Sequence, residues 1–330
     1  MNSFGRIFRL SIFGESHGPS VGVIIDGCPA GLPLSVEDFE TDLKRRQGGI
    51  QKGTTPRKED DVPVFLSGIF NGKTTGAPIT ISFPNNDSRS SDYEKIKSIP
   101  RPGHADLVAH QKFGGYQDYR GGGHFSGRLT VCVVAAGVIA KKLFPTLFIQ
   151  ARILEIGGEQ EIEAGLQKAI NEKDSVGGII ECVVKGLPVG IGSPFFDSVE
   201  SVISHGIFSI PAVKGIEFGA GFSAARMFGS QHNDAIVDAS GKTKTNHSGG
   251  VVGGLSTGND LVFRMVVKPT SSTPKEQESW NAESEQVEKF SVKGRHDLCI
   301  ALRVPPVAEA ITAIVLADLM LIEQKISPVL

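Results

Sequence analysis

Two apolar segments constrain the fold of this chain more than any other feature. Residues 126–143 begin at a serine beside glycines, are rich in alanine and valine, and end in Lys141 and Lys142. These lysines suit the negative end of a helix dipole. Residues 306–324 form a second segment with few polar residues. Because a helix that is apolar almost all round must be buried, the sequence predicts two core helices that other elements cover.

Strand patterns surround these segments. Residues 6–13 roughly alternate apolar and polar, and residues 21–25 are mostly β-branched, both typical of strands. Residues 35–38 have the serine-to-acid spacing of a capping box, which predicts a helix through Lys44. Further strands are predicted over 62–66, 148–156, 178–184 and 261–267, with a helix over 161–171. Strands and helices do not alternate regularly, which favours an α+β fold. No repeat or long linker is visible, so a single catalytic domain over 1–330 is expected.

Composition restricts the partners and the compartment. The net charge of −2 gives no reason to expect a nucleic-acid or membrane surface. The N-terminus lacks the pattern of a signal peptide, and the longest apolar run, 131–140, is far shorter than the roughly 20 residues of a membrane span. The 4 cysteines form no CxxC pair, so reduced, buried thiols are expected. These features predict a cytoplasmic protein.

Short polar blocks carry the candidate chemistry. Each places a histidine, arginine or lysine beside glycine, serine or proline: GESHG at 14–18, RPGHAD at 101–106, YRGGG at 119–123, KPTSS at 268–272 and GRHD at 294–297. Glycine lets backbone approach a ligand closely, and the cations and hydroxyls suit an anionic, hydroxylated substrate. The blocks form one site only if the fold gathers them.

Other motifs are weaker. Residues 67–74 nearly fit a phosphate-binding P-loop, but the first glycine is one position late, so an ordinary turn is favoured. Residues 219–224 fit the loose G-x-G-x-x-A pattern, yet Gly229 interrupts the helix that should follow. A metal site drawn from His17, His104, His124, His296 and Asp297 has no HxH or HxxxH spacing. We therefore predict no metal.

Together, the polar blocks resemble those of the chorismate synthase family. The resemblance runs from GESHG at 14–18 to RHD at 295–297 and includes GGVVGG at 249–254. It implies a β-α-β sandwich, with helices between two antiparallel sheets, assembled as a homotetramer. It also implies a lyase of the last step of the shikimate pathway, which converts 5-enolpyruvylshikimate 3-phosphate into chorismate and phosphate. This anti-1,4-elimination needs reduced FMN (FMNH2) without net redox change.

The resemblance implies roles for individual residues. The catalytic residues are His17, which assists the departing phosphate, His104, which protonates reduced flavin, and Asp297, which relays a proton at the flavin N5 edge. The remaining implied contacts with flavin are His124, Phe125, Ser126, Pro211, Ala212, Gly253, Lys268, Pro269, Thr270, Ser271, Ser272 and Arg295.

Four basic residues match positions for anionic ligands. Arg46 matches a position assigned to substrate or NADPH, and Lys52 takes a neighbouring position where the family commonly has arginine. Arg101 and Arg128 are the expected partners of the carboxylates and phosphate of the substrate. A guanidinium binds such groups through two parallel hydrogen bonds, although a solvated helix face is an equally ordinary place for the Arg45–Arg46 pair.

The chain departs from the family pattern at four positions. His124 and Phe125 stand where the family often has Arg-Ser, Pro211 where asparagine is frequent, and Leu298 where proline is usual. The first exchange weakens a fixed cation near flavin and substrate.

Two other functions remain open. One is an NADPH-dependent flavin oxidoreductase, and the other is a non-catalytic module that binds phosphorylated hydroxy-acids. Nothing resembles a separate reductase domain, so the use of flavin reduced elsewhere is favoured over reduction by NADPH.

Overall fold

The computed structural model describes residues 2–49, 52–55, 59–86, 97–292 and 296–323. Its strands are β1 Ser3–Phe4, β2 Arg9–Gly14, β3 Ser20–Asp26, β4 Val64–Ser67, β5 Ile69–Phe70, β6 Lys73–Thr74, β7 Ile79–Pro84, β8 Phe148–Ile156, β9 Gly178–Lys185, β10 Val213–Phe218, β11 Val251–Val252, β12 Leu255–Ser256, β13 Leu261–Val267, β14 Gln277–Asn281 and β15 Gln286–Phe290. Its helices are α1 Glu37–Arg46, α2 Asp106–Phe113, α3 Thr130–Leu143, α4 Ile162–Glu172, α5 Val199–Ile207, α6 Gly229–His232 and α7 Pro305–Ile322.

Two antiparallel sheets form the outer layers of the described chain. The first has the strand order β1-β2-β3-β7-β4 and the second β10-β13-β9-β8. In the first sheet Ile12 lies opposite Val23, and in the second Phe263 lies opposite Cys182. Side chains alternate between the faces of a strand. The side chains of Val23, Cys182 and Phe263 are fully buried and mark the covered faces of the two sheets.

Helices α3 and α7 fill the space between the sheets. Helix α3 packs on β2 and β3, helix α7 packs on β8 and β9, and the two helices pack against each other. The segment Arg120–Leu143, which includes α3, and helix α7 have the length and hydropathy of a membrane span, but 72% of an 18-residue stretch of the first and 89% of the second are buried inside the protein. Their apolar surface therefore forms the core. The predicted α+β class and the β-α-β sandwich are confirmed.

Small residues let α3 and α7 approach closely. A Cβ atom added to Gly137 would lie 2.3 Å from the Cβ of Ala310 and 2.5 Å from its Cα. Real Cβ atoms essentially never come so near a neighbour. Helix α3 thus has a glycine, Gly137, at the point where it contacts the backbone of α7.

A buried carboxylate on α7 connects the layers. Glu309 is 2% exposed. It accepts two hydrogen bonds of 2.7 Å from Arg45, one of 3.1 Å from Lys141 and one of 2.9 Å from the backbone N–H of Ala151. A buried charge is tolerated only when it is paired and hydrogen-bonded. Glu309 therefore fixes α1, α3 and β8 relative to α7.

A second buried carboxylate on α7 holds the start of the chain. Asp318 is 4% exposed and accepts hydrogen bonds from the backbone N–H groups of Arg6, Ile7 and Phe8, the shortest of them 2.7 Å from Ile7. These three donors precede β2 and have no strand partner of their own in this arrangement. The carboxylate replaces that partner.

The cysteines agree with the predicted reduced, buried state. All 4 are free and buried. Burial raises the pKa of Cys132 and of Cys182 to about 12. Thiols in this environment stay protonated at neutral pH and are poor nucleophiles.

Several boundaries differ from the sequence-based expectations. The helix predicted from residue 126 begins at Thr130 after a short helical turn, Gly127–Leu129, because the side chain of Ser126 accepts the N–H of Arg128 and caps that turn first. Residues 67–74 contain the β5–β6 hairpin, an ordinary turn.

Replacing Gly137 with valine should destabilise the protein. The added side chain must displace the backbone of Ala310, and overpacking of this kind costs about 1–3 kcal/mol or more. Urea denaturation followed by circular dichroism measures the change. Gly229→Ala is the matched control, since nothing lies within 4 Å of its added Cβ. Equal stability of Gly137→Val and the wild type would contradict the close approach of the two helices.

Candidate active site

A cavity of about 710 Å³ lies where several polar blocks meet. It is lined by the N-terminal strand, the RPGHAD turn, the glycine loop, the end of α5, the KPTSS segment and the start of α7. A smaller cavity of about 170 Å³ adjoins it, and Arg101, Gly121, Ser126, Asp297 and Arg303 line both. The volume is in the usual range of small-molecule sites, roughly 300–1,000 Å³. The fold therefore gathers most of the scattered blocks into one continuous site.

The glycine loop passes between two histidines. Gly121, Gly122 and Gly123 have φ values of +59°, +81° and +54°, which glycine adopts at no steric cost. A Cβ on Gly121 would lie 2.2 Å from the imidazole of His17, and one on Gly122 would lie 3.4 Å from the imidazole of His104. The loop is thus the surface on which both rings pack. Gly121 lines both cavities and His104 lines the larger one, whereas His17 lies behind Gly121 and lines neither.

His104 belongs to a buried hydrogen-bonded group. Its Nδ1 lies 2.6 Å from Oδ1 of Asp106, and Nε of Arg101 donates to Oδ2 of the same carboxylate at 2.8 Å. Arg101 also donates to Oγ of Ser272 at 3.0 Å. Burial opposes the charge of Asp106, but the hydrogen bonds from Arg101 and His104 outweigh it and hold the pKa of the carboxyl well below its ordinary value. A carboxylate at Nδ1 orients the ring.

The KPTSS segment is fixed to the RPGHAD turn. Nζ of Lys268 donates to the carbonyl of Gly103 at 2.8 Å and to Oγ of Ser271 at 2.7 Å. The backbone N–H of Lys268 donates to the carbonyl of Ala212 at 2.9 Å. Burial, with help from the charge of Lys214, lowers the pKa of the Lys268 ammonium. The segment therefore presents its hydroxyls to the cavity from a rigid position.

The smaller cavity is lined by four arginines and three carboxylates, which are Arg46, Arg101, Arg128, Arg303, Glu59, Asp61 and Asp297. Asp61 pairs with Arg128 and lies 3.6 Å from Nη1 of Arg46. Arg303 donates to the carbonyl of Arg46 at 2.8 Å. Burial lowers the pKa of Arg46 to about 9; Asp61 acts against this, and the charges of Arg303 and Arg128 add to it. The local excess of positive charge favours an anion.

The guanidinium of Arg46 has N–H groups that could bind a ligand. It is 2% exposed, and within the described part of the chain its Nε and Nη1 make no hydrogen bond. Unpaired buried donors of a guanidinium carry a large desolvation cost, which an anionic ligand would remove. Arg128, in contrast, donates to Asn85 at 3.0 Å and to the carbonyl of Pro84 at 3.2 Å, so its fork is already occupied by the protein.

Asp297 lies between the two cavities. Its Oδ1 accepts the backbone N–H of Thr55 at 2.8 Å, and Nη1 of Arg303 donates to Oδ2 at 3.1 Å. The carboxylate is therefore held on one side by backbone and on the other by a guanidinium. Arg295, which was expected to contact flavin, lies outside the described residues.

The larger cavity includes most of the expected contacts. Those that line it are His104, Asp297, His124, Phe125, Ser126, Pro211, Ala212, Lys268, Thr270, Ser271, Ser272 and Arg101. Pro269 lies in the same segment without lining the cavity. Lys52 donates to Gln167 at 3.1 Å on the surface. Gly253 lies in the β11–β12 turn near Val199, at the opposite end of α5 from the cavity. The structure does not bring Lys52 or Gly253 to this site.

The substituted positions after the glycines have definite environments. Nδ1 of His124 lies 2.8 Å from the carbonyl oxygen of Gly14, and Nε2 lies 3.1 Å from Oδ1 of Asn2. Phe125 is 43% exposed, and its ring centroid lies 6.3 Å from that of Phe113. Both side chains line the larger cavity.

Several lining residues were not expected from the sequence. Asn2, Phe4, His205 and Phe208 line the larger cavity, with the ring of Phe4 packed edge-on against His205 at 5.4 Å. Arg303 was also missed. A polar residue just before an apolar helix is the one signal that could have marked Arg303, whereas the others lie in ordinary strand or helix patterns.

Replacing Asp106 with asparagine should lower stability at neutral pH by about 1–3 kcal/mol, the cost of disturbing a buried charged hydrogen bond. The pKa of Asp106 is lower in the folded protein than the ordinary value of about 3.9. Its stabilisation is therefore complete above about pH 4 and is lost as the pH falls further. Urea denaturation at pH 7, 5 and 3 should show a stability difference between the wild type and Asp106→Asn that is nearly constant from pH 7 to 5 and clearly smaller at pH 3, because the loss is complete only below the lowered pKa of the folded state.

Asp60→Asn is the control for this series, since Asp60 is exposed and surface changes usually stay within about 0.5 kcal/mol. A stability difference between wild type and Asp106→Asn that is equal at pH 7 and pH 3 would refute the lowered pKa.

Comparison with known proteins identifies the family of this chain. The family model described as chorismate synthase matches residues 8–321. A chorismate synthase of Chitinophaga pinensis is 68% identical over 326 residues, 98% of each chain. One of Lachnoclostridium phytofermentans is 45% identical over 350 residues, 97% of this chain and 95% of its own. A crystal structure of chorismate synthase superposes with a TM-score of 0.74 at 26% identity, covering 97% of this chain and 93% of the other. The chain belongs to the chorismate synthase family.

Proposed function

We propose that this chain catalyses the anti-1,4-elimination of phosphate from 5-enolpyruvylshikimate 3-phosphate to give chorismate. The observation that carries the proposal is the glycine loop, which seats His17 and His104 in one site next to a buried cationic cluster. The reaction needs a donor at a departing phosphate and cations for a substrate with several negative charges. Both are supplied by side chains that line, or pack against, one continuous cavity.

The cationic end of the site binds the substrate. A phosphate and two carboxylates need several charge-assisted hydrogen bonds, for which guanidinium groups are suited. Arg46 offers two buried donors without a partner in the described chain, and Arg303 and Arg101 line the space beside it. Arg128 acts mainly through its charge, because Asp61 and Asn85 occupy its donors.

Three residues take part in proton donation or transfer during the proposed reaction. His17 donates a hydrogen bond to the departing phosphate oxygen and lowers the barrier as a general acid. Asp106 orients His104, which then holds its proton toward the larger cavity. Asp297, fixed by Thr55 and Arg303, holds a proton where the two cavities meet. This division of roles places the acid at the phosphate and the other two groups on the flavin side.

The larger cavity fits a reduced flavin mononucleotide. One wall is apolar, formed in part by Leu10, Ile12, Leu129, Val307 and Ile311, which suits a flat conjugated ring. Another wall carries the hydroxyls of the KPTSS segment, which suit a phosphate.

The residues that would hold the flavin are Ser126, Ala212, Lys268, Thr270, Ser271 and Ser272, with His124, Phe125 and Pro211 at the wall. Bound in this cavity, reduced FMN would lend an electron transiently and recover it, so the reaction would have no net redox change. If the protein reduced its own flavin, NADPH would be the candidate reductant. We favour the alternative, in which the protein binds FMN that has been reduced elsewhere.

The assembly and compartment complete the proposal. Four phenylalanines, Phe195, Phe196, Phe222 and Phe228, are between 77% and 90% exposed, and exposed apolar surface of this extent supports contacts between subunits. A homotetramer is the proposed assembly, with the chain from 1 to 330 as a single catalytic domain. The near-neutral charge supports a cytoplasmic enzyme without a nucleic-acid or membrane partner.

An anaerobic assay tests the reaction. The protein, 5-enolpyruvylshikimate 3-phosphate and chemically reduced FMN should give chorismate and phosphate in equal amounts, and oxidised FMN should give neither. Adding NADPH to the oxidised flavin tests whether the protein reduces its own cofactor. Consumption of one NADPH per turnover would identify an oxidoreductase instead. Binding of the substrate without product would identify a binding module.

Alanine at His17 or His104 should lower the turnover number by roughly 10²–10⁴-fold, the usual contribution of a general acid. His17→Ala should leave the thermal transition almost unchanged, because His17 lies outside the apolar core. His104→Ala should lower it, because that substitution removes the short hydrogen bond to Asp106. Steady-state phosphate release at saturating reduced FMN measures the effect. Normal turnover in both variants would reject the assigned roles.

A further inference from the structure

The turn that carries His17 and the glycine loop are far apart in the sequence but lie side by side in the fold. Residue 14 contacts residue 124, residue 16 contacts residue 123, and residue 17 contacts residue 121. The two segments therefore run in opposite directions with a fixed register. We infer that His124 is a positioning residue, whose imidazole locks this register and thereby holds His17 at the departing phosphate.

The bond from His124 to Gly14 has a defined direction. The carbonyl oxygen of Gly14 only accepts hydrogen bonds, so Nδ1 of His124, 2.8 Å away, carries the hydrogen. Gly14 ends β2 and has a φ of +94°. A Cβ at Gly14 would lie 2.3 Å from the carbonyl oxygen of Ser20. The acceptor is thus part of a tight turn that cannot move independently of its neighbours.

The second nitrogen of His124 faces the N-terminal strand. Nε2 lies 3.1 Å from Oδ1 of Asn2, and the carbonyl of Asn2 accepts the N–H of Ile12 on β2. An asparagine amide offers both an acceptor and a donor, so it satisfies Nε2 with or without a hydrogen. The ring is held at both ends by elements of the first sheet.

A third contact extends the register toward His17. The backbone N–H of Ser16 donates to the carbonyl of Gly123 at 3.1 Å, and Ser16 is fully buried. His17 follows directly and packs its ring on Gly121. The bond from His124 adds a side-chain link to this backbone hydrogen bond and so fixes the register at a second point. Displacement of a reacting group by about 1 Å can cost on the order of 10²-fold in rate.

The same geometry argues against a direct polar contact of His124 with the cofactor. Both ring nitrogens are engaged by the chain, so the ring presents carbon atoms to the cavity that it lines. A fixed cation, which the family often has at this position, is absent from residue 124. His124 therefore holds the general acid, His17, in place and makes no polar contact with the flavin. This inference rests on the proposed role of His17.

Three substitutions of His124 distinguish the loss of its hydrogen bonds from the loss of its side-chain volume. In His124→Asn, the amide nitrogen replaces Nδ1 and can still donate to Gly14. In His124→Gln, the longer amide reaches toward Asn2 and loses the bond to Gly14. In His124→Phe, the ring remains without any hydrogen bond. The matched control is His232→Asn, because His232 is a half-buried histidine on α6 that lines neither cavity.

Hydrogen exchange in the flavin-free protein gives a readout that does not depend on catalysis. The N–H of Ser16 should exchange about 10-fold or more faster in His124→Phe and His124→Gln, since loss of the bond to Gly14 makes local opening easier. In His124→Asn and in the control, its exchange should match that of the wild type. Unchanged exchange of Ser16 in the Phe and Gln variants would overturn the inference.

Steady-state kinetics with reduced FMN gives the second readout. The turnover number should fall roughly 10–10²-fold in His124→Phe and His124→Gln, while KM for the substrate and the dissociation constant of FMN stay close to wild type. His124→Asn should recover most of the turnover. Equal losses in all three variants, or a weakened affinity for FMN with normal turnover at saturation, would refute positioning of His17.

The two readouts also separate this inference from the proposed function. If the wild type forms no chorismate, the assigned reaction fails, and the exchange of Ser16 still decides whether His124 holds the turn. If His124→Phe does not fold, His124→Gln carries the same comparison.

Discussion

The close contact between α3 and α7 is the constraint on which the rest of the structure depends. Each helix is apolar on nearly every side, so each needs the other and a sheet to cover it. The glycine at 137 allows the two backbones to approach, and Glu309 then fixes their axial position by binding Arg45 and Lys141. The site follows from this packing, because the glycine loop leads into α3 and Asp297 and Arg303 lead into α7.

Much of the fold could be predicted from the sequence because the decisive signals are local. Apolar composition marked both core helices, and β-branched alternation marked β3 and β13, whose predicted 261–267 matches the observed strand. Boundaries were less predictable. The side chain of Ser126 caps a separate turn before α3, and nothing in a helical pattern distinguishes that turn from the helix itself.

The site was predictable only where residue types carry chemistry. Histidines and lysines beside glycines indicated an anion site, and the fold brings most of them to one cavity. Phe4 and His205 could not be predicted, since their role comes from the crossing of distant elements. The pairing of Arg128 with Asp61 was also not predictable, because an ion pair between remote segments leaves no local pattern.

The hold of Asp318 on residues 6–8 has a consequence for how the protein is made. The backbone just before β2 is anchored by a carboxylate of α7, which is made more than 300 residues later. This anchor therefore forms only after α7 has been made, although α3 can cover β2 and β3 earlier. Contacts so distant along the chain make folding slow, and a chain that has not yet formed them exposes apolar surface that favours aggregation.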